Sequence, residues 1–168
     1  KPLHLPDGAT LVLCSDGLSN VVEAEEILDL AMAHEPGEAC ESLIELARAN
    51  QKWCDTGGRE GKPAAFEGAD LRMLGDALKG FRLTAMNARG ACLMGLDLSG
   101  AHLQGANLAE ADLRGVNFRG ADLRGARLSG ALMTKTDLRQ AYLGPLPLTV
   151  NRSTPSNLAG ANLRYAQF

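Results

Sequence analysis

From residue 76 onward the chain repeats a five-residue word. With a large apolar residue at each centre, the centres fall at Leu78, Leu83, Ala88, Leu93, Leu98, Leu103, Leu108, Leu113, Phe118, Leu123, Leu128, Met133, Leu138 and Leu143, fourteen in unbroken phase with one alanine among them. Two residues before the centre a small residue recurs, as at Ala91, Ala101, Ala111, Ala121 and Ala131, and two after it glycine is frequent. Neither common element has this period, since helical side chains share a face every ~3.6 residues and strand side chains alternate every ~2. A period of five fits a chain that turns a corner once per word. The centre and the small residue before it then point inward, three positions face solvent, and glycine eases the bend. Words of this kind bury a continuous core only by stacking on their neighbours, so the pattern predicts a solenoid.

The phase has two disturbances. Phe66 and Leu71 centre two earlier words, and Leu74-Gly75 then shifts the phase by two. After Leu143 the text becomes "GPLPLTVNRSTP", yet Leu158, Leu163 and Phe168 resume the original phase. Residues 144–155 are therefore either two distorted words, centred at Leu148 and Ser153, or a protruding loop whose length fits the register.

The run "ANLAEADLRGVNFRGADLRGARLSGA" resembles the pentapeptide-repeat family over roughly residues 64–168. The resemblance implies a mainly β fold, a right-handed quadrilateral β-helix with four words per coil and a small α/β segment in front. About five coils spaced like paired strands, ~4.8 Å apart, would stack to roughly 25 Å. Four words per coil would align residues twenty apart: Asp97, Asn117, Asp137 and Asn157 in one column, Lys79, Ser99, Arg119, Arg139 and Ala159 in its neighbour, and Arg124 with Arg164 on the next face. Some members of the family act on DNA gyrase as acidic mimics of duplex DNA. Here residues 64–168 carry 8 acidic and 12 basic side chains, which argues against mimicry. That modest excess, with few aromatics, also argues against direct nucleic-acid binding. His102 reads as a surface residue. Phe168 stands at a word centre and would leave an open apolar edge, which is expected either because the chain is cut short there or because two rods meet end to end as a homodimer.

Residues 1–62 differ in character, since residues 1–63 carry 12 acidic and 5 basic side chains. Thr10 to Cys14 reads as a buried strand ending in an Asp16-Gly17 turn. Two amphipathic helices follow, over about residues 23–33 with Ile27, Leu30 and Ala31 on one stripe, and about 37–50 with Cys40, Leu43, Ile44 and Ala47. A glycine-rich loop, "DTGGREGKP", separates this part from the repeat. The motifs "LVLCSDGL" and "GGREG" over residues 3–61 resemble the C-terminal part of 2C-type metal-dependent serine/threonine protein phosphatases. That resemblance implies metal-ligand positions at Asp16 and Glu60 for Mg2+ or Mn2+. Glu60 replaces the family's aspartate, Gly61 replaces its asparagine, and neither the upstream acidic motifs nor the closing strand is present. The division is thus 1–62, a phosphatase-like remnant or N-terminal cap, and 63–168, the repeat.

The cysteines Cys14, Cys40, Cys54 and Cys92 form no CxxC pair and suit packing in a reducing compartment better than a metal site. No apolar run reaches the ~18 residues of a membrane helix. A cytoplasmic bacterial protein is the expectation, and a chain opening on Lys1 is expected to be processed or part of a longer one. The leading functional reading is a non-catalytic, protein-binding or scaffolding solenoid without a cofactor, contacting its partner through Tyr142, Leu146, Val150 and Arg152 near the irregular stretch and through Arg119 and Arg139. The alternatives are the targeting part of a metal-dependent phosphatase and, disfavoured by charge, a gyrase-binding DNA mimic.

Overall fold

The computed structural model describes residues 36–168. The expected strand at 10–14, the Asp16-Gly17 turn and the helix at 23–33 lie outside the described residues. Contacts divide the chain into two units, Lys1–Glu41 and Ser42–Phe168.

Helix α1 spans Pro36–Asp55, five residues beyond the expected end at Asn50. Nothing in the sequence halts it before Gly57, which takes a left-handed φ of 62°. There the Gly58 N–H donates to Trp53 O (2.8 Å) and the Gly57 N–H to Cys54 O (3.3 Å), a paired closure that satisfies two terminal carbonyls. Thr56 Oγ1 donates to Lys52 O at 2.8 Å, beside the Thr56 N–H that the same carbonyl accepts at 3.0 Å.

Beyond α1 the chain winds into stacked coils with four walls. Along each wall single residues pair in parallel: Asn87 with Asn107 and Arg127, Cys92 with Asp112 and Leu132, Asp97 with Asn117 and Asp137, and His102 with Asp122 and Tyr142. These are walls 1 to 4 in chain order. Twenty residues separate partners in the regular coils, as four words per coil requires. The first coil is two longer, with Ala65 on Asn87 and Asp70 on Cys92, which absorbs the extra Leu74-Gly75 in a short 3-10 turn at Arg72–Leu74. Each word closes a corner by a hydrogen bond from the residue three after the centre to the centre's carbonyl, as from Leu96 N to Leu93 O (3.1 Å). The corner's third residue has positive φ, the geometry of a type II turn. That explains the glycine two places after the centre; Ala85, Glu110, Lys135, Gln140 and Tyr165 occupy it under strain.

The core is the column of word centres together with the residues two before them. Leu93, Leu103, Leu113, Phe118 and Leu123 are fully buried, as are Ala91, Ala101, Ala111 and Ala121. At Ala88 the small residue takes the centre and Met86 the preceding place, so the volumes exchange and the layer stays filled. Thr136 is the buried exception among the preceding residues, and its hydroxyl lies 2.7 Å from Met133 O and 3.1 Å from Leu113 O.

The first coil has no coil before it, and α1 stands in its place. In later coils the residues flanking a wall-4 centre offer carbonyls to the coil before: His102 O accepts from Leu83 N, and Gln104 O from Ala85 N. Their first-coil counterparts are Arg82 O and Thr84 O. Cys54 Sγ lies 3.5 Å from Arg82 O as donor, and Asn50 Nδ2 donates to Thr84 O at 3.1 Å. Asn50 Oδ1 also accepts the Ala64 N–H at 2.9 Å, and Asn50 is wholly buried. One amide side chain thus satisfies two backbone groups that an open coil end would strand.

Residues 144–155 form a protruding hairpin rather than distorted words. Strand β1, Leu146–Thr149, pairs antiparallel with β2, Arg152–Thr154. The coils resume thirty residues on, with Arg127 on Asn157, Leu132 on Asn162 and Asp137 on Gln167. Three expected alignments are corrected. Asn157 lies in the wall-1 column rather than beneath Asp137; Ala159 accepts from Gly130 rather than following Arg139; and Arg164 follows Thr134 on wall 2, away from Arg124 on wall 4. Ten inserted residues equal two words, so the phase survives while every column below the hairpin moves two walls.

Candidate functional site

The hairpin is the one departure from regular winding between residues 81 and 168. Its base is pinned at the corner after wall 4. Ser156 Oγ accepts the Gly125 N–H (3.1 Å) and lies 2.9 Å from Leu123 O. Leu146 is half-buried against Gly125, where an added Cβ would stand 2.7 Å from Leu146 Cβ. Gly125 also has φ 68°, so both backbone and space demand glycine there.

Beyond the base the hairpin points its apolar groups outward. The register slips between Pro147 and Thr149, leaving Leu148 as a bulge residue, 51% exposed. Val150, at the tip, is fully exposed, and Arg152 beside it is also exposed. Pro147 within β1, and Pro145 and Pro155 flanking the strands, lack N–H donors, so the hairpin is poorly suited to extend another sheet.

Tyr142 lies on wall 4 just before the hairpin and is 62% exposed. A hydrogen-bonded chain leads down the wall towards it: Thr84 Oγ1 to Gln104 Oε1 (3.0 Å), Gln104 Nε2 to Asp122 Oδ2 (2.7 Å), and Arg124 Nη2 to the same oxygen (2.6 Å). Burial raises the Asp122 pKa, but its hydrogen bonds from Arg124 and Gln104 outweigh that and hold the carboxyl below its usual range. Tyr142 thus precedes by a few residues the hairpin that carries Leu146, Val150 and Arg152.

Arg119 and Arg139 stand on the preceding wall, in successive coils linked by Gly120 N to Arg139 O (3.1 Å). They are not equivalent. Asp137 accepts from Arg139 at Nε (2.9 Å), Nη2 (2.6 Å) and backbone N (3.0 Å), and this clamp holds the Asp137 carboxyl down to about 2. Before Arg119 stands neutral Asn117, which accepts only the backbone N–H at 3.0 Å. Asp70–Arg72, Asp112–Arg114 and Asp122–Arg124 repeat the clamp. Aspartate two residues ahead fixes an arginine flat on the wall, whereas asparagine leaves the Arg119 guanidinium without a clamp in its own word, its charge adding to the lowering of the Asp137 pKa.

Glu60 is exposed and pairs with Lys52 at 2.6 Å, a contact that lowers its pKa. Gly61 lies so close to the α1 backbone at Ala49 and Trp53 that no Cβ fits. The "GGREG" stretch thus folds as the return turn of α1, and Asp16 lies outside the described residues. Among the described residues no three His, Cys, Asp or Glu side chains gather as a metal site, and no helix is long and apolar enough to cross a membrane. A shallow cleft of about 390 Å³ lies between α1 and Phe81, lined by Arg48, Gln51, Lys52 and Asp55. Its charges are already matched by Glu45, Glu60 and Arg82.

Sequence reasoning missed the Asn50 closure and the exposed apolar residues of wall 2. The available signals were a polar residue in register with the α1 apolar stripe, and Met94 and Leu132 at word positions that normally hold polar residues.

Comparison with known proteins gives matches to the repeat. The pentapeptide repeats family matches residues 91–130 and 121–143, as eight copies. The solved structure of alr5209, a pentapeptide repeat protein from Nostoc PCC 7120, is 30% identical, with 73% of this chain and 93% of that one covered and a TM-score of 0.49. Rfr23, a pentapeptide repeat protein from the cyanobacterium Cyanothece 51142, is 27% identical over 66% of this chain and 64% of its own, with a TM-score of 0.28. HetL of Nostoc PCC 7120, a pentapeptide repeat protein involved in heterocyst differentiation regulation, is 24% identical over 62% of each chain, with a TM-score of 0.20. No curated protein matches the sequence significantly.

Proposed function

The chain belongs to the pentapeptide-repeat family, and from that premise we propose that it is a non-catalytic scaffold that binds a partner protein at the hairpin on wall 4. The carrying observation is the outward display of Leu148 and Val150 on a pinned hairpin beside exposed Tyr142. Burying a side chain of the valine or leucine size contributes about 1.5–3 kcal/mol, and a pinned hairpin loses less conformational freedom on binding than a loose loop. Arg152 and, on the adjoining wall, unclamped Arg119 supply charge around this apolar centre, the arrangement of an apolar core with a polar rim.

A photo-cross-linking residue placed at Val150 in cells tests the reading. It should give one discrete adduct that Tyr142→Ala weakens, whereas the same residue at Asn107 on wall 1 should give none. Equal adducts at both places would refute it. A phosphopeptide hydrolysis assay with Mn2+ separates this reading from the phosphatase alternative, because a scaffold predicts no turnover.

A further inference from the structure

The hairpin carries an apolar tip and a free cation one rung apart. Its register sets Thr149 against Arg152, so Val150 and Asn151 form a two-residue turn. Such turns ordinarily hold glycine, asparagine or aspartate. Here a β-branched apolar side chain stands fully exposed at the tip. Arg152, on the first rung below it, is exposed and makes no ion pair among the described residues. Residues 119–168 carry seven basic and two acidic side chains. Both acids are already closed, Asp122 by Arg124 and Asp137 by Arg139, each at 2.6 Å. These coils therefore offer Arg152 no free carboxylate.

The dimensions select the shape of the partner. Two paired strands make a peg about 10 Å wide and, with side chains on both faces, about 10 Å thick, and the four residues from Pro147 to Val150 extend about 13 Å. A flat partner on one face of such a peg covers roughly 130 Å², far below the ~800 Å² per partner of a standard interface. A partner that encloses it on every side covers about 600 Å², at the lower edge of specific association.

Enclosure then decides the charge. A pocket deep enough to take Val150 takes Arg152 as well, and a stem of three carbons is too short to return the guanidinium to a mouth about 13 Å away. A buried guanidinium has to be paired and hydrogen-bonded, and the carboxylate has to come from the partner.

We infer that the partner protein receives the hairpin in a deep apolar pocket whose wall carries a carboxylate, which accepts paired N–H bonds from Arg152 while Val150 and Leu148 fill the apolar lining. The inference rests on the hairpin reading above and defines the partner's side of that site. A second copy of the chain is a poor fit, because the cleft beside Phe81 presents Arg48 and Lys52, and its carboxylate, Asp55, is held by Arg82 at 2.7 Å.

The test reads the photo-adduct formed at Val150 in cells, in chains that also carry a change at Arg152. Arg152→Met keeps the stem and removes the charge. It should cut the adduct about thirtyfold or more, because the partner's carboxylate is left buried and unpaired. In a pocket without a carboxylate the same change leaves the adduct equal or stronger. Arg152→Lys should recover part of the adduct and also supplies an amine. Carbodiimide added to the extract should then join that amine to the partner as an amide, and mass spectrometry should place the link on an aspartate or glutamate; arginine at 152 gives no such link. Thr149, paired with Arg152, and Ser153, next along β2, face opposite ways. A photo-cross-linker at either should capture the same protein as at Val150. All these positions are exposed, and an unchanged circular dichroism spectrum confirms the fold. An adduct that withstands Arg152→Met, no amide link from Arg152→Lys, or capture from only one face overturns the inference while the Val150 adduct upholds the hairpin reading. Absence of any Val150 adduct ends both.

Discussion

Replacing Asn50 by alanine tests how the stack begins. The side chain is fully buried and holds Ala64 N–H at 2.9 Å and Thr84 C=O at 3.1 Å. Alanine removes both partners, and each stranded buried group costs about 1–3 kcal/mol, so the loss should be roughly 2–6 kcal/mol. Its location matters as much as its size. In a stacked array each unit leans on its neighbours, so weakening the first interface should let α1 detach before the coils melt. Trp53, the sole tryptophan, lies half-buried near the end of α1 and reports that event by fluorescence, while far-ultraviolet circular dichroism follows the coils. In urea the parent should show coincident transitions. Asn50→Ala should move the Trp53 transition to lower urea and separate it from the coil transition. Asn50→Asp keeps the acceptor for Ala64 but loses the donor to Thr84, and should fall between them or lower. A loss under about 0.5 kcal/mol, the size of an ordinary surface substitution, would refute the reasoning, as would an unmoved Trp53 transition.

Gly125→Ala forces a Cβ onto Leu146 at a φ of 68°, whereas Gly115→Ala, at the same φ, meets nothing within 4 Å. By urea midpoint the first should cost about 1–3 kcal/mol more than the second, and equal losses would mean that the hairpin does not press on that corner. Lys135→Gly and Gln140→Gly relieve non-glycine residues at φ 61°, and each should raise stability by about 0.5–1 kcal/mol after the added freedom of the unfolded chain is counted. Asp70, Asp97, Asp112, Asp122 and Asp137 all titrate below their usual range when folded, Asp137 at about 2 through its hydrogen bonds from Arg139. Since the folded values lie below the unfolded ones, this stabilisation is complete above about pH 5 and fades as pH falls from ~4 towards ~2. Urea midpoints should drop in that window, less steeply in Asp137→Asn, and a flat profile would contradict the clamps.

The four walls were legible because burial constrains both inward positions of every word, and a chain that turns once per word has few other ways to hide leucine. The hairpin was only half legible. It lengthens one coil by ten residues, two words, so phase alone could not tell insertion from distortion. The deciding signs were Leu146 and Asn151 at places that elsewhere hold small inward residues, and three prolines in eleven positions from Pro145 to Pro155. Columns below the hairpin were misassigned for the same reason. Tyr142, Val150 and Arg152 were readable as a group because an interruption gathers its own neighbours, but Arg119 and Arg139 looked alike until Asn117 and Asp137 distinguished them. Asn50 was hidden because its partners, Ala64 and Thr84, lie 14 and 34 residues away and are bound through the backbone, which leaves no mark on residue type.

Stacking by coils is tested most directly by through-hydrogen-bond scalar couplings in the ¹⁵N,¹³C-labelled chain. Leu108 N should couple to the carbonyl of Arg127, nineteen residues on, and Leu128 N to that of Asn157, twenty-nine on, across the hairpin. A coupling from Leu128 to the carbonyl of Pro147 instead, or none between neighbouring coils, would contradict the fold.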